Sequence, residues 1–416
     1  MAGTVGRALT GDTLPPERRA ARRRFRDPGS GELLDEGLLL WFPGPRSFTG
    51  EDLVEIHHHG SRAVVQGLAT ALVSLPGVRP AEPGEFTKRA FLNGKLDLTE
   101  VEGLADLIEA TTRAQARQAL RQMAGELGTK CAAWRETIIR ALASVEAEID
   151  FAADEGDVAQ GLSDREAVKL AAVRDEIADV LQRARQGERL REGLTVAITG
   201  APNVGKSSII NILSRRDVAI VTPVPGTTRD VLEVALELRG LPVVLLDTAG
   251  LRETDDPIEK EGVERGMRRA AQADLRLLVL DATAPEDAAS CTSETLVVVN
   301  KVDLVADRDF VPSSDAVAVS CRTGAGIDRL VEAIAERAET MLGTGETSLL
   351  TRERHRVALW ETHAALARFL ASAGSLDLGL RAEELRLAMD GLGKITGRVR
   401  VEELLDRIFA EFCIGK

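Results

Sequence analysis

The chain has 416 residues, more than one ordinary domain holds, so roughly two or three domains are expected. Its 53 basic and 66 acidic residues leave a net charge of −13, which excludes a surface uniformly coated for nucleic acid, and 44% hydrophobic residues mark a globular protein. No apolar run approaches the ~20 residues of a membrane-spanning helix, the N-terminus lacks a charged-then-apolar secretion signal, and the cysteines (Cys131, Cys291, Cys321, Cys413) form no C-x-x-C pair, which fits a reducing cytoplasm without zinc or disulfides.

Residues 1–95 are rich in proline and glycine, with short apolar pieces, Gly37 to Phe42 and Leu53 to His57, that read as strands. The basic run Arg18 to Arg26 is read as a solvated helix face, with a nucleic-acid contact as the alternative. His57-His58-His59 is read as structural, because consecutive strand residues point to opposite faces and cannot easily share one ion. From Pro83 to Pro202 no proline intervenes, and the intervening sequence is helical in pattern. Leu98, Val101, Leu104, Ala105 and Ile108 recur at helical spacing, as do Ile138, Ile139, Leu142, Val145 and Ile149. Ala167 to Leu190 is expected as a single long amphipathic helix carrying Val168, Ala171, Ala172, Ile177, Val180 and Leu181. An α/β alternation follows from about Leu194 to Ala338. The helical style then returns, with Val357, Leu359 and Trp360 and later Leu385, Leu387 and Ala388. The fold class is therefore multidomain, α/β and α: one helical domain split by an inserted α/β domain, after an N-terminal α+β region.

Within the α/β region, Gly200-Ala201-Pro202-Asn203-Val204-Gly205-Lys206-Ser207 fits the phosphate-loop pattern G-x-x-x-x-G-K-[ST]. The apolar run Leu194 to Thr199 precedes it as a buried strand, and Ser208 to Leu213 follows as a helix. Backbone N–H groups of such a loop curl around phosphates at a helix N-terminus. Asn203, Val204, Gly205, Lys206, Ser207 and Ser208 are the expected nucleotide contacts, with Lys206 reaching the β- and γ-phosphates and Ser207 holding Mg²⁺. Asn300-Lys301-Val302-Asp303, after the apolar strand Leu296 to Val299, resembles the guanine-reading signature of Ras-like GTPases. The Asp303 carboxylate would accept two N–H bonds that adenine does not offer. Ser320-Cys321-Arg322 resembles the supporting base-side loop. Asp247-Thr248-Ala249-Gly250 closes the strand Val243 to Leu246 and resembles the D-x-x-G element that senses the γ-phosphate. Gly226-Thr227-Thr228-Arg229-Asp230 supplies a switch threonine, Thr228, as second Mg²⁺ ligand. The residue after Gly250 is Leu251, where Ras-type enzymes place a water-orienting glutamine, so the hydrolytic group must come from elsewhere.

Outside that region, Trp41-Phe42-Pro43-Gly44-Pro45, Ser47-Phe48-Thr49-Gly50-Glu51-Asp52, Pro83-Gly84-Glu85-Phe86-Thr87, Arg89-Ala90-Phe91-Leu92-Asn93-Gly94-Lys95 and the terminal Phe412-Cys413-Ile414-Gly415-Lys416 resemble the tRNA-modification GTPase family called MnmE or TrmE. The resemblance covers nearly the whole chain. It implies an N-terminal folate-binding, dimerising domain (1–95), a helical domain in two parts (96–190 and 341–416) and an inserted Ras-like P-loop GTPase domain (191–340). It implies a homodimer that forms a heterotetramer with an FAD-dependent partner, MnmG or GidA. The pair would add an aminomethyl or carboxymethylaminomethyl group at C5 of the wobble uridine (U34) of tRNA, with no membrane involved. The one-carbon source would be a 5-formyl- or methylene-tetrahydrofolate, and GTP hydrolysis would depend on K⁺. By resemblance, Glu259 is the catalytic glutamate, and Asn203, Thr222, Val224 and Thr227 hold K⁺. Thr222, Thr227, Thr228, Asp247, Thr248, Ala249 and Gly250 complete the GTP contacts. Glu55, Lys95 and Lys416 match folate positions, and Cys413 is a candidate for the modification chemistry. Family members begin with a further N-terminal stretch that carries a folate-contacting arginine, and this chain starts after it. Two other readings stand beside this one: a regulatory GTP-binding switch without RNA chemistry, and a ribosome-assembly GTPase.

Overall fold

The computed structural model describes residues 1–11, 13–152, 164–216, 218–219, 233–247, 270–284, 294–305, 316–343, 348–372, 377–398, 408–409 and 412. The chain divides into two compact units, Met1–Ala105 with Gly393–Lys416, and Asp106–Leu392.

In the first unit, helix α1 (Ala2–Thr10) precedes strands β1 (Ala21–Arg26), β2 (Leu33–Phe42) and β3 (Leu53–His57), which pair antiparallel in that order. The basic run thus forms a strand and not the expected helix. Exposure alternates along it: Ala21 and Arg23 are half-buried and Phe25 is buried, while Arg22, Arg24 and Arg26 are exposed, a two-residue period. The turn that follows is closed by Asp27, whose carboxylate accepts from the N–H groups of Gly29 (2.9 Å) and Ser30 (2.7 Å). Phe25 and Leu39 pack under Leu68 of α2 (Arg62–Val73), a helix capped by the Ser61 hydroxyl, which accepts from the Val64 N–H. After α3 (Glu85–Leu92), Leu98 and Val101 of α4 (Leu98–Glu109) form a second small core with Ile408, Phe409 and Phe412. Ile108, on the same predicted helix, is exposed.

In the second unit, α5 (Arg113–Met123) begins in a capping box. The Thr112 hydroxyl accepts from the Gln115 N–H, and the Gln115 side chain accepts from the Thr112 N–H. Helices α6 (Glu126–Ala152), α7 (Asp164–Gln182) and α8 (Ala184–Glu192) follow. The single helix expected over Ala167 to Leu190 is two, broken at Arg183, whose N–H reaches back only three residues to the Val180 carbonyl. The break lets Gly187 of α8 lie against backbone: a Cβ there would overlap the Leu350 carbonyl oxygen. Ile177 is buried as expected, whereas Val168 is exposed.

Gly193 then leads into β4 (Leu194–Thr199), α9 (Lys206–Ser214), β5 (Glu233–Leu238), β6 (Leu241–Asp247), β7 (Leu275–Asp281), β8 (Thr295–Asn300), β9 (Val317–Ala318) and α10 (Ile327–Leu342). The strands form one sheet in the order β5-β6-β4-β7-β8-β9, parallel except for the β5–β6 pair. β4 sits inside and is apolar almost throughout, as a strand covered on both faces must be. Val196, Ile198, Val243, Leu277 and Val298 join Ile209 and Leu213 of α9 and Leu330 and Ile334 of α10 in one core. Helices α11 (Glu353–Ala371) and α12 (Leu378–Thr396) return to the helical part, α11 packing on α7. Gly391 of α12 lies against Thr362, whose hydroxyl donates to the Ala358 carbonyl (2.8 Å). Leu359, Leu385 and Ala388 are buried, but Val357, Trp360 and Leu387 are exposed. The buried stripe of α11 runs His355, Ala358, Leu359, Thr362, Ala365, Leu366, Phe369, which leaves Trp360 on the opposite side.

Candidate nucleotide-binding site

Parallel strands bring their C-terminal ends to one edge, where ligands of such sheets bind. β4 ends there at Thr199 and opens into the loop Gly200–Gly205, which closes at the N-terminus of α9. The loop needs its glycines for space and for handedness. Gly200 (φ 139°) lies so close to the Val279 carbonyl that a Cβ would overlap it, and Gly205 (φ 103°) is as close to the Asn300 amide. Asn203 takes a left-handed φ of 63°, a conformation asparagine tolerates well. The Lys206 ammonium donates to the carbonyls of Gly200 and Ala201, both at 2.8 Å. The cation is thereby curled over the loop's own mouth, beside the N–H groups that face phosphate. Ser207 and Ser208, in the first turn of α9, are exposed.

The base side is built from the end of β8. Asn300 is 2% exposed. Its Nδ2 donates to the Val204 carbonyl (2.8 Å) and its Oδ1 accepts from the Cys321 N–H (3.1 Å), tying the phosphate loop to the Ser320–Arg322 loop. Lys301 is held with φ 65°, and its ammonium meets the Asp281 carboxylate at 2.6 Å. That bond, with help from Thr283, pulls the Asp281 carboxyl down to about 2. Asp303 accepts from the Ser320 hydroxyl (2.5 Å) and the Arg322 guanidinium (2.7 Å), which lower its pKa and keep it anionic. Ser320 is fully buried and orients the carboxylate, whereas the Arg322 side chain is 72% exposed and is free to yield its place to a ligand N–H. Burial raises the Cys321 thiol, so it is a packing residue here.

Asp247, the last residue of β6, pairs with Ile198 of β4 and so reaches the same sheet edge as the phosphate loop. Thr222, Val224, Thr227, Thr228, Thr248, Ala249, Gly250, Glu259, Cys413 and Lys416 lie outside the described residues. Glu55 stands on β3 beside His57 (3.5 Å), and Lys95 donates to the Pro45 carbonyl (3.1 Å). The first unit holds a cavity of about 610 Å³, walled by Leu53, Val54, Ile56, Leu72 and Phe86 with Arg79 and Arg89, and neither Glu55 nor Lys95 lines it. Among the described residues no helix is long and apolar enough to cross a membrane. Two features escaped the sequence reading. Asp281 as the anchor of Lys301 sits on β7, a strand whose LRLLVLD pattern was there to be read; the bridging role of Asn300 had no sequence signal, because it depends on what the side chain meets across the sheet edge.

A phosphate cradle and a base-reading loop joined through one buried amide are the construction of a P-loop GTPase. Residues 98–413 match the family model of the MnmE helical domain, and residues 2–95 match that of the GTP-binding protein TrmE N-terminus. The chain belongs to the MnmE family of tRNA modification GTPases. The tRNA modification GTPase MnmE of Methylobacterium sp. (strain 4-46) is 52% identical over 98% of this chain and 93% of its own length. The mitochondrial 5-taurinomethyluridine tRNA synthase subunit GTPB3 of Homo sapiens is 49% identical over 97% of this chain and 86% of its own. Among solved structures, Aquifex aeolicus Era Y63A bound to GDP·AlF4⁻ matches 41% of this chain and 66% of that chain at 27% identity, with a TM-score of 0.27.

Proposed function

We propose that this GTPase is the nucleotide-hydrolysing subunit of a complex that modifies C5 of the wobble uridine of tRNA. Family membership supports the substrate, and the Asn300 bridge between the phosphate and base loops is the observation that carries the nucleotide chemistry. In this reading the GTPase domain is an insertion within the helical domain, and the chain works in the cytoplasm as a homodimer with an FAD-dependent partner of the MnmG type. Lys206 meets the β- and γ-phosphates, Ser207 and Thr228 hold Mg²⁺, and Glu259 orients the attacking water in place of the missing glutamine. Asn203, Thr222, Val224 and Thr227 would hold a K⁺ ion, which would supply the charge compensation that an arginine finger supplies elsewhere. Asn203 supports this in one respect: it is exposed at the loop apex with its side chain unused by the described fold. Glu55, Lys95 and Lys416 would hold a reduced folate, which would supply the one-carbon unit, and Cys413 is the candidate side chain of this chain for that chemistry.

The test is GTP turnover by the purified chain in KCl and in NaCl. Turnover is stimulated by K⁺, and Glu259→Ala abolishes it while nucleotide binding persists. Equal rates in the two salts would overturn the K⁺ assignment.

A further inference from the structure

The segment Arg18 to Arg26 places six arginines in nine residues of a chain whose net charge is −13. The nucleotide site makes no use of it. On a helix these charges would scatter around the axis. On β1 they do not: Arg22, Arg24 and Arg26 project from one face, and Phe25 is buried behind them. The side chains of Arg22 and Arg24 are 76% and 65% exposed. Alternate residues of a strand stand roughly 6.7 Å apart, a separation close to that of successive phosphates along a nucleic-acid strand.

The face has one opposing carboxylate at its centre. Glu36 lies across from Arg24 on β2 and sits 3.0 Å from Arg22 and 3.7 Å from Arg24. Three guanidiniums against one carboxylate leave the row positive. Leu38 lies across from Arg22, and farther across the sheet the same face carries His57 and Glu55, paired with each other. Asp27, next in the chain, is turned into its own loop by Gly29 and Ser30. β1 is also an edge strand, with no described strand on its outer flank. Guanidinium forks match phosphate oxygens in pairs, which a row of lysines would not do.

We propose that the β1 face is a contact surface for the RNA phosphate backbone, and specifically for the tRNA; this rests on the reading of the chain as tRNA-modifying. The charge left over after Glu36 and the match of guanidinium forks to pairs of phosphate oxygens favour a phosphate backbone, with an acidic protein partner as the alternative that the test separates. Such contacts position the RNA without reading its sequence.

The experiment compares the full chain with its Arg22→Gln/Arg24→Gln/Arg26→Gln form. Binding to a tRNA transcript is followed by fluorescence anisotropy across a salt series. Each lost phosphate contact removes about 0.7–0.9 from the slope of log K against log salt, so the slope falls by about two to three. Glu36→Gln frees Arg22 and Arg24, tightens binding and steepens the slope. An unchanged circular dichroism spectrum and melting curve report that both forms are folded, and GTP turnover, a property of the other unit, stays at the wild-type rate. Superimposable salt lines for the wild type and the triple variant overturn the surface, as they would if an acidic protein were its real occupant. Should the triple variant not fold, Glu36→Gln binding no tighter than wild type overturns it alone. The parent reading has its own readout. Wobble-uridine nucleosides unchanged on deletion of the gene sink the tRNA role, whereas the difference between wild type and variant in binding judges β1.

Discussion

Asn300→Ala removes one side chain that solvent hardly touches, and the structure gives the size of the loss. Its Nδ2 satisfies the Val204 carbonyl at 2.8 Å and its Oδ1 satisfies the Cys321 N–H at 3.1 Å. A buried polar group left without a partner costs about 1–3 kcal/mol. Val204 is buried, and Cys321 is half-buried, so its N–H contributes toward the lower end. The sum is about 2–4 kcal/mol, and at about 2–4 °C per kcal/mol for a domain of this size the melting midpoint falls by about 5–15 °C. Scanning calorimetry of the full chain reads this, the relevant transition being the one that GTP shifts upward. Asn300→Asp sharpens the test. It keeps an acceptor for Cys321 but sets a carboxylate oxygen against the Val204 carbonyl, so it melts no higher than the alanine variant. Both variants melting within about 1 °C of wild type, a shift too small for even one stranded bond, would refute the bridge.

Other outcomes follow from the same geometry. Asn203→Gly keeps the left-handed backbone of the loop and deletes only the side chain, so GTP affinity measured by calorimetry holds while stimulation by K⁺ over Na⁺ disappears; loss of both would mean that the side chain serves the nucleotide and not K⁺ alone. The Lys301–Asp281 pair holds the folded Asp281 carboxyl at about 2, below its ordinary 3.8. A depressed carboxyl stabilises the fold fully above pH 3.8 and loses that contribution as pH falls toward about 2. In Lys301→Ala the Asp281 titration, followed by carbon-detected NMR, moves back up toward the ordinary value, and an unmoved midpoint would reject the pairing. Gly187→Val drives side-chain carbon into the Leu350 carbonyl and separates α8 from the chain that enters α11, lowering the melting midpoint by at least several degrees; a wild-type midpoint would show that α8 shifts freely.

Much of the nucleotide site was legible because it is local. A phosphate loop is written in consecutive residues, and the run Leu194 to Thr199 forms the strand expected of it to the residue. Asn300 ends β8, Asp303 lies three residues beyond it and Lys206 follows the loop after β4, so parallel pairing of the strands brings all three to one sheet edge. The errors fell where spacing alone left two answers. Trp360 and Val168 fit a helical stripe in the sequence and lie outside it in the fold, because a helix rich in alanine offers more than one apolar face. The arginine run looked like a helix surface until burial of Phe25 fixed its period at two.

The sequence by itself determined the motifs: a glycine loop of the phosphate-binding pattern, an Asn-Lys-x-Asp run after an apolar strand, and a leucine where Ras-like enzymes place glutamine. Tertiary structure alone decided the couplings. Asn300 became a strut because Val204 and Cys321 arrive from segments far apart in the chain. Arg22, Arg24 and Arg26 became a row because one phenylalanine had to be buried behind them. Neither outcome is written in neighbouring residues, since each depends on which distant backbone lies within a hydrogen bond or a van der Waals contact.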